Sequence, residues 1–115
     1  MDSILFLIAL SCIFIHEMDA IRCREWRIFP GLSALNEAYS APLFLVLHLP
    51  LLVWIFLELG APDPTIFITR FEYFLILHLV LHLLFLFHPK NEFKDWLSWS
   101  FIVGAAAFSL LDLIF

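Results

Sequence analysis

Six ionisable side chains interrupt otherwise apolar runs, and their types are those of a metal or acid–base site. His78 and His82 form H-x-x-x-H, one turn apart on one helix face. His16, Glu17 and Asp19 follow the run LFLIALSCIF, and His48 stands alone in LFLVLHLPLL. Neutral imidazoles beside a carboxylate suit Zn(II), Fe(II), Cu(II) or Mn(II), and an i, i+4 histidine pair can grip one ion from a single helix. With a coordination position left open, such an ion acidifies bound water or binds oxygen. Glu17 or Glu37 then supplies a general base or an outer-sphere acceptor, and Asp19 is either a ligand or a second catalytic carboxylate. The predicted ligand set is His16, Asp19, His48, His78 and His82, holding zinc or iron, with Glu17 and Asp19 as the catalytic pair. The competing structural reading is that these histidines hydrogen-bond across a helix bundle as packing glue.

The elements that must position these groups follow from composition. Hydrophobic residues make up 63% of the 115 and charged residues 15%, at a mean hydropathy of +1.00. That leaves too few polar side chains to cover a globule in water. Segments free of Asp, Glu, Lys and Arg at residues 3–15, 38–57, 73–89 and 96–111 each grow, with their flanks, to the length of about 20 residues that crosses a bilayer. The expectation is an all-α, four-helix transmembrane bundle in one domain over residues 1–115, with helices near 3–29, 42–59, 65–88 and 92–115. Pro30-Gly31, Gly60 to Pro64 and Pro89 supply the breaks, and Pro50 a kink. A secretory signal is set aside because the leading segment carries Asp2 and no basic residue.

At 1.5 Å per residue, His16, His48 and His82 come to lie about 6 to 9 Å below one membrane surface, with His78 a turn deeper. Three helices running in alternating directions thus place imidazoles in one slab. On the first helix Cys12, His16, Asp19 and Cys23 follow at spacings of four, three and four, along one face.

Arg22, Arg24, Arg27, Lys90 and Lys94 gather at the surface nearest this slab, whereas Arg70 alone marks the other. The excess of basic residues on cytoplasmic loops then puts the histidines near the cytoplasmic face and both termini outside it. Ser100, Gly104 and Ala107 offer a small-residue packing stripe. Glu58, Asp63, Arg70, Glu72 and Asp112 form a second polar group at the opposite surface, where Arg70 is expected to pair with one of the acids. The net charge of −5 gives no reason to expect a nucleic-acid partner, so the partners are the lipid bilayer and, in a scaffold role, other membrane proteins or a second copy.

Over HEMDAIRCREWRIFPGL the chain resembles small uncharacterised bacterial multi-pass membrane proteins with an H-E-x-D-A signature in the first helix, and more distantly the HxxEE-type membrane proteins. The resemblance implies a similar length and helix count, with His16 and Asp19 in the signature and His78 and His82 as the later histidines. Asp19 and Ala20 stand where the HxxEE pattern has two glutamates. Three functions compete. The first is an intramembrane metalloprotein, with action on an apolar or lipid substrate as one use of the metal. The second is a carrier of haem b held by His48 with His78 or His82, and the third is a non-catalytic subunit of a membrane complex.

Overall fold

In the hydrocarbon interior of a bilayer each peptide group must find its partner within its own segment, and the four apolar stretches meet this demand as helices. The computed structural model describes residues 3–115, and Asp2, used against a secretory signal, lies outside them. Four helices, α1 (Ile4–Arg22), α2 (Glu37–Leu59), α3 (Thr65–Phe85) and α4 (Trp96–Ile114), are each long and apolar enough to cross a membrane, and the described residues contain no strand. The long axis of the molecule, 43 Å, matches a bilayer with its headgroup layers.

Three of the four helices, α1, α2 and α4, start on side-chain caps. Ser3, Asn36 and Asp95 accept the N–H groups of Phe6, Ala38 and Ser98, satisfying donors that the first turn leaves open. Four expected boundaries shift. Helix 1 ends at Arg22 and not at Phe29, because Arg24 takes the left-handed conformation (φ 52°, ψ 53°) and turns the chain back. Helix 2 starts at Glu37 and contains both Pro42 and Pro50, so Pro50 removes the bond its N–H would have given to Val46. Helix 3 ends at Phe85 and helix 4 starts at Trp96. Between them Asn91 accepts the Phe93 N–H at 3.1 Å and donates to the Phe93 carbonyl at 3.4 Å, a local loop that competes with helix.

α1, α3 and α4 form the core, with α1 and α3 parallel and α4 antiparallel to both. Lipid is as apolar as leucine, so packing and polar contacts, not water exclusion, must hold them together. Ala9, Ala20, Ala105 and Ala106 are buried, and Gly104 meets Cys12 so closely that an added Cβ would lie 3.1 Å from its sulfur. The expected Ser100-Gly104-Ala107 stripe is therefore corrected. Ser100 and Ala107 are exposed, and the face buried by α4 runs through Ser98, Ile102, Ala105 and Ser109, which is rotated from the stripe.

Polar stitches join the two ends of the α1–α4 contact. At one end Arg22 donates to Asp19 at 2.6 Å, to Ser98 at 2.9 Å and to Asp95 at 3.2 Å. At the other, Ser3 donates to Asp112. Glu72, expected near the headgroups, is instead buried in the bundle within hydrogen-bonding reach of Asp112. It lies two turns inside α3, on the face that also buries Leu75. The second polar group is thereby divided, and Arg70 lines a cavity of about 580 Å³ with Glu58 and Asp63.

Asp95 links the α4 cap to the membrane surface. Its carboxyl is held below the usual aspartate range, chiefly by the Ser98 N–H and further by Arg22. A lowered value means that the cap stabilises the helix above the ordinary aspartate range and is lost as pH falls through it. Amide protection factors in the first turn of α4 are expected to drop on acidification, and Asp95→Ala is expected to lower them at neutral pH and abolish the pH dependence.

Candidate metal centre

The buried face of α1, which packs on α4 and α3, carries Phe6, Ala9, Ile13, His16 and Ala20. The α3 face that meets it carries Leu75, His78 and His82 at spacings of three and four. His78 and His82 stand one turn, about 6 Å, apart along α3, and His16 on the parallel α1 comes level with that turn and meets both rings. One ligand nitrogen from each of His16, His78 and His82 lies within 4.8 Å of the others. The rings meet edge to face, with centroids 4.7 Å apart for His16 and His78, 4.9 Å for His16 and His82, and 4.5 Å for His78 and His82.

The turn after α1 supplies a carboxylate. With Arg24 left-handed, Glu25 points back under the end of the bundle, where its Oε2 stands 3.7 Å from His16 Nε2 and 3.5 Å from His82 Nε2. These are ion-pair separations, longer than good hydrogen bonds. Burial pushes the Glu25 carboxyl up, but the His16 and His82 rings outweigh it and hold it well below the usual glutamate range, at about 2. Phe93, wholly buried, closes the same end with its ring 5.3 Å from His16 and 4.7 Å from His82. The centre is shut off from solvent, with His16 fully buried and His82 at 2% exposure.

Inside this wall five donor or acceptor atoms have no hydrogen-bond partner: His16 Nδ1 and Nε2, His78 Nδ1, His82 Nδ1 and Glu25 Oε2. Each buried group left unpaired costs roughly 1–3 kcal/mol. At metal–ligand bonds of about 2.0–2.2 Å, tetrahedral neighbours stand about 3.4 Å apart. The Glu25 contacts are already close to that spacing, and the imidazoles reach it by small ring movements. Three nitrogens and one carboxylate oxygen make a donor set that fits Zn(II) or Fe(II).

The other predicted residues go elsewhere. His48 accepts or donates at 2.7 Å to Glu17 Oε2 through Nε2, and its Nδ1 lies 2.7 Å from the Phe44 carbonyl. Asp19 accepts from Arg22 and, at 2.5 Å, from the Ser98 hydroxyl. Relative to Cys12, at 100° per residue, His16 stands about 40° to one side and Asp19 about 20° to the other. A shared face of that width meets two neighbours, so His16 turns to α3 while Cys12 and Asp19 turn to α4. Glu37 pairs with Arg27 at 2.5 Å, and the Lys90 N–H donates to His88 at 3.1 Å. Glu25 is the site residue that sequence reasoning missed, since nothing in REW announces a left-handed arginine. A glycine at position 24 would have announced it.

Comparison with known proteins matches the chain, over residues 2–115, to the model of a family of unknown function. No curated protein and no solved structure matches the chain.

Proposed function

Because the chain belongs to the DUF6713 family, whose function is unknown, we propose a function from the site itself: an intramembrane protein that binds one transition metal ion through His16, His78 and His82, with Glu25 as fourth ligand. The carrying observation is the set of unpartnered donor atoms, converging from three segments inside a closed wall. A divalent ion takes one nitrogen from each ring together with the Glu25 oxygen, and offsets the charge of the buried carboxylate. Zinc and iron are the candidates, by the nitrogen-rich donor set.

Haem fits less well. Axial ligation places a flat macrocycle between two imidazoles, whereas these rings lie edge to face against one another, and His48 has both ring nitrogens engaged. Four residues of the HEMDA run, all but Met18, have work in the metal reading. His16 is a ligand, Asp19 positions α1 on α4, and Ala20 is small where the helices close. Glu17, sharing a hydrogen bond with His48, is the acid–base group we assign to any reaction on an apolar or lipid substrate. The excess of basic residues in the loops at this end supports our reading that it faces the cytoplasm, with both termini opposite, in a bacterial inner membrane.

Protein purified in mild detergent without chelators, then measured by elemental analysis, is expected to carry about one equivalent of zinc or iron per chain, the stoichiometry of a closed four-ligand site. Less than about a tenth of an equivalent, with no uptake on addition of either ion, removes the metal reading and leaves a histidine-packed bundle.

A further inference from the structure

α2 is the helix least embedded in the fold. It buries Ser40, Phe44 and Ile55, and touches α1 through His48–Glu17 and the Phe14–Phe56 ring pair, with centroids 6.3 Å apart. Between these contacts a cavity of about 440 Å³ runs along α1 and α2 against the flank of α3. Its walls are apolar side chains such as Phe14, Leu45, Leu52 and Phe71, and Glu17 and His48 are the two ionisable residues in its lining.

The dimensions and the medium select the occupant. From Leu45 to Phe56 the lined stretch of α2 covers about 16 Å, close to the ~15 Å that one leaflet contributes to a hydrocarbon core of ~30 Å. An apolar recess at this depth does not retain water, and the surrounding leaflet presents acyl chains to it at high concentration. Glu17 lies about 7.5 Å below Arg22 along α1, so the polar pair sits just beneath the headgroups, where a phospholipid carries its esters.

The pair is built to stay there at no net charge. The Phe44 carbonyl can only accept, so His48 Nδ1 carries a proton and donates it. One further proton then lies between His48 Nε2 and Glu17 Oε2, which makes the pair either imidazolium with carboxylate or imidazole with carboxylic acid. Both forms are neutral overall, and the side chains keep 21% and 29% of their surface open.

We propose that this groove holds one acyl chain of a bilayer phospholipid, with the lipid's ester oxygens facing the Glu17–His48 pair. Phe74 lines the groove and also borders the histidines, its ring 6.1 Å from that of His78. The groove thereby names the substrate class that approaches the centre, a step that rests on the metal reading, whereas lipid binding stands without it.

The test is photo-crosslinking of the full chain in phosphatidylcholine nanodiscs containing a phosphatidylcholine with a diazirine in its acyl chain, with adducts mapped by mass spectrometry. Adducts on Met18, Leu45 and Leu52 are expected to exceed those on the outward-facing Leu84 and Leu110 by about tenfold, a preference of ~1.4 kcal/mol. Leu52→Trp, and separately the milder Leu45→Phe, are expected to abolish that excess while metal content stays unchanged. Equal labelling of groove and outer face, or an excess that survives both substitutions, overturns the proposal. Even labelling with metal bound removes the groove alone. Enriched labelling with no metal removes the centre alone.

Discussion

Replacement of His82 by alanine is expected to empty the centre, weakening metal binding by at least ~100-fold, since even outer-sphere partners of a metal ligand cost 10- to 100-fold when removed. His82 is wholly inside the protein, and its ring contacts His16, His78 and Phe93. No other described imidazole stands ready to replace it, because His48 is committed to Phe44 and Glu17. His16→Ala is expected to behave alike. His48→Ala and Asp19→Asn are expected to leave metal content intact, which separates the observed cluster from the wider one that sequence spacing suggests. A second readout distinguishes a lost ligand from a lost fold. Ion at 100 times its Kd stabilises the parent by ~2.7 kcal/mol, so the parent unfolds at a higher temperature with metal than with chelator. His82→Leu is expected to show no such difference, and its metal-free form no serious instability, because the change also removes a buried nitrogen without a partner. Acidification is expected to release the ion from the parent, since a ligating imidazole must be neutral. A His82→Ala protein that binds zinc or iron as tightly as the parent would falsify the assignment.

Arg24→Pro is expected to unseat Glu25 without dissolving the bundle. Proline fixes φ near −65°, whereas this residue sits at φ 52°, and it removes the Arg24 N–H that donates to the Ile21 carbonyl at 3.2 Å. The local cost is roughly 3 kcal/mol. The turn at 23–28 must then open, carrying the carboxylate away from His16 and His82. Metal affinity is expected to fall, with three nitrogens remaining, and hydrogen exchange over residues 24–28 to quicken while the four helices stay protected. Arg24→Gly is the paired control. It removes the ~1–2 kcal/mol that a side chain costs in the left-handed region and adds back the ~0.5–1 kcal/mol of freedom that glycine loses on folding. Its turn, metal affinity and exchange should match the parent. If the proline variant also matched, Glu25 would be a bystander and the fourth ligand would have to come from elsewhere.

Much of this protein is legible along the chain because the bilayer imposes one-dimensional rules. Runs of about 20 apolar residues must become helices, and a fixed rise per residue sets the depth of every side chain on them. Those two rules find four spans, and they put His16, His48 and His82 near one level, with His78 a turn deeper, before any packing is known. The same rules mislead at His48, whose level is right and whose direction is not, because depth carries no information about rotation around the helix axis. Asp19 fails for a related reason. A 60° arc of α1 reads as one face in sequence, but it straddles the boundary between two neighbouring helices.

Composition and periodicity by themselves determined the membrane spans, their alternation and the shared depth of three imidazoles, because hydrogen bonding inside lipid leaves the backbone a single solution. Tertiary structure alone decided which rings converge, that Glu25 joins them and that Glu17 and His48 pair along a lipid-sized groove. Those choices depend on helix azimuth and on one left-handed residue. Both are settled by the fit of neighbouring surfaces, since in lipid no water exclusion favours one rotation of a helix over another.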